Sequence, residues 1–136
     1  LREYRYFYPD SAAHEGIVIR GRNFVWDGAF MSKILLTDLF DPSKFKIAFA
    51  LVEKEVIQDL IDQNLYEARI RDFYLDPAEE FLISREGLKI LFQRYAWGGY
   101  YSVDSVATVP WNRLSSFLKP DTPVTRWVER ELQKQR

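Results

Sequence analysis

The run from Glu80 to Leu118, EFLISREGLKILFQRYAWGGYYSVDSVATVPWNRLSSFL, constrains this chain more than any other stretch. Within it, Phe81–Ser84 and Leu88–Tyr95 read as strands around Arg85-Glu86-Gly87, a turn in which glycine offers positive φ. Leu88, Ile90 and Phe92 share one face of the second strand, and Lys89, Leu91 and Gln93 share the other. Val103–Val109 supplies a third strand. Pro110 stops it and opens a short helix in which Leu114, Phe117 and Leu118 point one way. A hairpin, a strand and a short helix joined this closely call for a small antiparallel sheet with a helical cover, so the expected class is α+β.

The main helix is expected from Pro42 to about Leu65. Asp41 caps it and proline takes the first helical position. Phe45, Phe49, Val52, Val56 and Leu60 step by three or four residues into one apolar stripe, which Ile47, Leu51 and Ile61 widen. Glu53, Lys54, Asp59 and Asp62 supply its wet face. A last helix starts at Thr122-Pro123, with Val124, Trp127, Val128 and Leu132 as its stripe. Spacing makes Trp111 and Trp127 helix-packing residues. Upstream, Glu3–Tyr8 and Gly16–Trp26 are β-prone, with Ile17, Ile19 and Phe24 expected in the core and Gly21 at a kink. Asp27-Gly28 is turn chemistry, Lys33–Leu36 reads as a short strand, and Ala68–Leu75 is expected to pair at a sheet edge. With 136 residues and no internal repeat or linker, residues 1–136 are expected to form one α+β domain.

Composition narrows the chemistry. Nineteen basic against 20 acidic residues give a net charge of −1, which argues against the phosphate-neutralising face of a nucleic-acid binder. Without cysteine there is no thiol nucleophile, disulfide or thiolate metal site. No apolar run reaches the roughly 20 residues of a membrane span. The first residue is Leu1 rather than Met, which leaves room for an upstream signal peptide, lipid anchor or further domain.

Ser32–Phe40 (SKILLTDLF) followed by a long helix, then FLISREGL, Leu91-Phe92, Tyr95, Gly99, Val109-Pro110 and Leu114, resembles one bacterial envelope domain over about residues 33–118. It is the domain of unknown function 3298, found in RsiV-type lysozyme-sensing anti-sigma factors and beside the deacetylase of PdaC-type proteins. The resemblance implies an α+β fold like a subdomain of the Hsp70 ATPase, without its nucleotide machinery. It also implies an extracytoplasmic setting, in the periplasm or at the cell surface. Residues 119–136 then form a C-terminal helical extension. The glycine–alanine–histidine–glycine turn of the family has its nearest match in Ala12-Ala13-His14-Glu15-Gly16, with a glutamate inserted and the leading glycine missing.

Few residues carry reactive chemistry. His14 is the only histidine and no ligand or triad partner stands at a useful spacing, so it is a weak site candidate. Asp10, Glu15, Asp27, Asp38 and Asp41 are scattered through the first third without calcium-loop spacing, and read as solvated or capping groups. Glu79 and Glu80 are adjacent, so on a strand they face opposite ways. Gly98-Gly99 lacks the lysine and helix start of a phosphate cradle. The loop Tyr95, Trp97, Gly98, Gly99, Tyr100, Tyr101 is the best contact candidate. Rings beside glycines stack on sugars or anchor a protein partner, and the alternative is that they fold back onto the helix.

The expected function is a non-catalytic recognition or sensor module whose partner is a protein or cell-wall glycan, with no cofactor and no nucleic acid. A carboxylate-dependent cell-wall glycan hydrolase is one alternative, and needs two carboxylates converging across a cleft. A structural interdomain or oligomerisation domain is the other, and requires an exposed apolar patch.

Overall fold

A computed structural model describes residues 2–7, 16–26, 28–63, 68–92 and 106–136. The architecture is α+β, with small antiparallel sheets packed by one long helix and short helices at the C-terminal end. Strands β1 (Arg2–Phe7) and β2 (Gly16–Gly21) form one antiparallel pair, and β3 (Phe24–Trp26) and β4 (Met31–Lys33) form another. The third sheet has the order β5 (Phe81–Ile83), β6 (Gly87–Leu91), β7 (Val106–Pro110), all antiparallel. Ile17 and Ile19 fall where only the backbone is described. Among the described residues no helix is long and apolar enough to cross a membrane.

Asp41 begins the long helix as its sequence implies, through a detail of its own. Its carboxylate accepts from the Ser43 amide and hydroxyl, and Pro42–Lys44 forms a 3₁₀ turn before α1 (Phe45–Asp62). Ala48, Phe49, Val52, Val56 and Leu60 are buried, and β7 lies against this stripe. Leu51 and Ile61 are partly buried beside it. Ile47 does not widen the stripe but is exposed, because it lies about 200° around the helix from Phe49 at 100° per residue. The wet face is also drier than its composition implies. Glu53 accepts from the Leu75 amide at 2.8 Å and Asp59 from the Thr108 amide at 2.9 Å, so two acids tie α1 to its neighbours.

The hairpin β5–β6 and the strand β7 stand where the alternation places them, with Leu88, Ile90 and the following Phe92 in the main core and Leu91 on the opposite face. Strand β6 ends at Leu91, and the expected strand residues 93–95 and 103–105 lie outside the described residues. Gly87 plays another part than the positive-φ turn expected of it. It opens β6 opposite Pro110, and a Cβ there would collide with the Val109 carbonyl oxygen, so the glycine permits a close strand approach. Pro110 then leads into α2 (Trp111–Leu114) and a 3₁₀ turn at Ser115–Phe117. Helix α3 (Pro123–Lys134) is capped by Thr122, whose hydroxyl accepts from the Thr125 amide. The Trp111 and Trp127 rings meet edge to face, with centroids 6.4 Å apart.

Two segments expected as strands are not. Ala68–Asp72 is a 3₁₀ helix rather than an edge strand. Ile70 is buried and Phe73, three residues on, packs partly on the same core, a period that suits a 3₁₀ turn and not an alternating strand. The strand expected over Lys33–Leu36 ends at Lys33, and Leu36–Leu39 forms a 3₁₀ turn. Asp38 causes this: its carboxylate accepts from the Leu35 amide at 2.8 Å and draws the chain into a local loop. The turn buries Leu36 and Leu39, and the segment that follows is bridged to the C-terminal half, Phe40 opposite Leu118.

Candidate interaction site

Several of the described acids are spent on backbone amides. Asp38, Glu53, Asp59 and Asp76 accept from Leu35, Leu75, Thr108 and Ala78, and Glu80 accepts from Gly21 at 2.7 Å. Asp41 is held below the usual carboxylate value, first by the Ser43 hydroxyl and then by the Ser43 amide. Glu79 is pushed the other way, by burial first and then by the negative charges of Asp76 and Glu80. Among the described residues no group of three or more His, Cys, Asp or Glu side chains could hold a metal ion. The aromatic loop residues Tyr95, Trp97, Gly98, Gly99, Tyr100 and Tyr101 lie outside the described residues, as do His14, Asp10, Glu15 and Asp27.

The most distinctive described surface is the β3–β4 hairpin. Its register sets Phe24 opposite Lys33, Val25 opposite Ser32 and Trp26 opposite Met31. The amide of Ile34 donates to the Asn23 carbonyl at 2.8 Å, which continues the ladder by one rung. Successive residues alternate in facing, so Asn23, Val25, Ser32 and Ile34 share the inner face. Phe24, Trp26, Met31 and Lys33 share the outer face.

Asn23 fixes that choice. Its side-chain amide donates to the Phe81 carbonyl at 2.9 Å and accepts from the Ile83 amide at 2.8 Å, so it takes the place of a neighbouring strand along the outer edge of β5. It is buried, and both ends of its amide are satisfied. With Asn23 turned inward, Val25 must follow and Phe24 and Trp26 must turn outward. Phe24 is therefore not a core residue. It is 47% exposed, Trp26 is 60% exposed and Met31 67%. Leu35 and Phe30 extend the apolar surface and are exposed as well. With roughly 150–250 Å² available per aromatic side chain, the patch amounts to on the order of 500 Å², near the upper end for an isolated chain.

A groove of about 390 Å³ opens beside this hairpin. One wall is the continuous run from Arg22 to Val25, and the other is formed by Pro123, Val124 and Trp127 at the start of α3. Ile34 and Ile83 complete it. Arg22 is the one charged residue in this lining. The sequence carried a signal for both surfaces, the Phe-Val-Trp triplet followed by Phe30-Met31, but a triplet of three apolar residues has no preferred parity until a long-range bond supplies one.

No family model matches the chain, and no curated protein matches it.

Proposed function

We propose that the chain is a non-catalytic recognition module of a bacterial envelope protein, working in the periplasm or at the cell surface, that binds a protein partner or a cell-wall glycan. The outer face of the β3–β4 hairpin carries the reading. Trp26 and Met31 form an exposed cross-strand pair with Phe24 beside them, and large exposed apolar patches mark contact surfaces. Aromatic and methionine side chains are enriched in such contacts, and tryptophan is among the residues that carry most of their energy. Placement of the acids supports the same view, since each of those tied to an amide is doing structural work. The envelope setting rests on the resemblance of Ser32–Phe40 and Phe81–Leu114 to domain 3298, and the Tyr95–Tyr101 loop stays within the proposal as a second contact element.

The same patch favours one further reading, that the hairpin packs against a neighbouring domain or an identical subunit. Both readings are tested by Trp26→Ser combined with Met31→Ser. Because both side chains are exposed, folding stability should change by less than about 1 kcal/mol. Retention on purified peptidoglycan, or binding to an isolated envelope protein partner, is expected to fall roughly tenfold or more. A self-association of the parent chain that is lost in the double variant selects the packing reading. A folded variant that keeps every interaction of the parent contradicts both.

A further inference from the structure

We infer that two copies of the chain pair antiparallel through the outer edge of β4, Met31 of one opposite Lys33 of the other, and so join their exposed apolar faces into one. This deepens the recognition reading, on which it rests, by giving the proposed contact surface its full extent. The edge itself is the first support. The bond from the Ile34 amide to the Asn23 carbonyl makes Asn23–Ile34 a bonded pair, so Val25–Ser32 is the next one along the register. Phe24–Lys33 and Trp26–Met31 are then non-bonded pairs, and the N–H and C=O of Met31 and Lys33 point away from β3. Among the described residues nothing takes these groups. The next outward amide, that of Leu35, is already used by the Asp38 carboxylate, which closes the edge at that end.

Such an edge fits a copy of itself in one register. With Ser32 facing its own equivalent across a two-fold axis, Met31 lies opposite Lys33 of the second copy, and every outward N–H meets an outward C=O. Pairing Lys33 with itself would set like charges opposite and bring Met31 to Leu35, whose amide Asp38 holds. Pairing Met31 with itself would run Lys33 into the turn at Ala29. A slip of one residue would set outward groups against inward ones. Space is available as well. Ser32 faces inward with Val25 and Ile34, yet it is exposed, as are Met31 and Lys33. The body of the domain therefore does not cover β4 here, and no residue of β4 lines the groove toward α3.

What the pairing achieves is area. A standard contact buries roughly 800 Å² per partner, and the apolar patch of one chain reaches only about 500 Å². Pairing about this axis keeps both outer faces on the same side of the sheet. Trp26 and Met31 of one copy then continue through Lys33 of the other to its Phe24, with the lysine stem lying along the methionine. The joined face reaches roughly 1,000 Å², enough for a stable contact that a single chain cannot make. Because the pairing is isologous, it closes as a dimer.

The chain has no cysteine, so Ser32→Cys supplies a single thiol at the axis. Opposed non-bonded positions bring Cα atoms to about 4.5 Å, within disulfide range. Under mild oxidation of the full chain, Ser32→Cys is expected to form a disulfide-linked dimer roughly ten times faster than Lys54→Cys on the exposed side of α1. Adding Lys33→Pro, which removes an outward N–H and no rung of the β3–β4 ladder, is expected to lower that rate to the Lys54→Cys level, whereas adding Lys33→Ala or Trp26→Ser is expected to leave it high. In sedimentation equilibrium the parent is expected to rise toward twice the monomer mass with concentration, and Lys33→Pro to stay monomeric with the near-ultraviolet dichroism of the parent. A parent that is monomeric at every concentration overturns the inference, as do equal oxidation rates at positions 32 and 54. A dimer preserved in folded Lys33→Pro also overturns it and assigns the contact to another surface. Should Lys33→Pro not fold, the comparison of positions 32 and 54 decides. Peptidoglycan retention by a chain that stays monomeric removes this inference while leaving the recognition reading standing, and a dimer that retains neither peptidoglycan nor an envelope protein does the reverse.

Discussion

Trp111→Ala is expected to lower folding stability by about 3–5 kcal/mol, the cost of deleting a large buried aromatic ring. That is a large part of the roughly 5–15 kcal/mol available to a domain of ordinary stability. Three losses combine at this position. The ring is buried at the start of α2, where it joins the sheet to the helices. Its edge-to-face contact with Trp127 holds α3 in place, and its indole N–H donates to the Ser84 carbonyl at 2.7 Å, so it also fastens the β5–β6 turn. Trp111→Phe separates these contributions. It keeps most of the apolar volume, gives up the bond to Ser84, and is expected to cost about 1–2 kcal/mol. Urea unfolding followed by far-ultraviolet dichroism measures both. A loss below about 1 kcal/mol for the alanine variant would contradict the role given to this residue.

Asn23→Leu is the second large effect, with an expected loss of about 2–4 kcal/mol although the side chains are close in size. The reason is that leucine leaves the Phe81 carbonyl and the Ile83 amide without partners in a part-buried setting. Hydrogen exchange at the Ile83 amide should accelerate in step. The functional consequence is more specific than the stability loss: with its clamp gone, the β3–β4 hairpin no longer has a fixed facing, and both the exposed patch and the groove lose definition. Asn23→Asp is expected to fall between parent and leucine variant, since it can still accept from Ile83 but cannot donate to Phe81 while ionised. If Asn23→Leu unfolds at the parent's urea concentration, the clamp does not hold the hairpin.

How much of this was legible in the sequence varies by element, for physical reasons. The helices α1 and α3 announce themselves through apolar period and through the caps at Asp41 and Thr122, all of which are local. Alternation sends Leu88 and Ile90 of β6, and Phe92 just beyond it, to one side, and the structure buries all three in the same core. What the sequence withholds is whatever depends on contacts distant along the chain. Gly87 is required by Val109, more than 20 residues away, and not by its own turn. Ala68–Asp72 looks like an edge strand until Ile70 and Phe73 are seen to dock against α1 and its surroundings. The clearest instance is Phe24, whose outward facing is decided by the bonds of Asn23 to β5, 58 and 60 residues further on. The exposed apolar face was therefore the least legible part, because it is the by-product of a buried amide.

The measurement that bears most directly on the central claim is site-specific photo-crosslinking from the hairpin. A benzophenone amino acid at position 31 is expected to yield a discrete adduct with one envelope protein or with peptidoglycan in living bacteria. The same probe at Lys54, an exposed residue of α1 remote in sequence from the hairpin, is expected to yield none. Adducts of equal yield from both positions, or none from position 31 in a folded protein, would contradict a recognition role for the β3–β4 face.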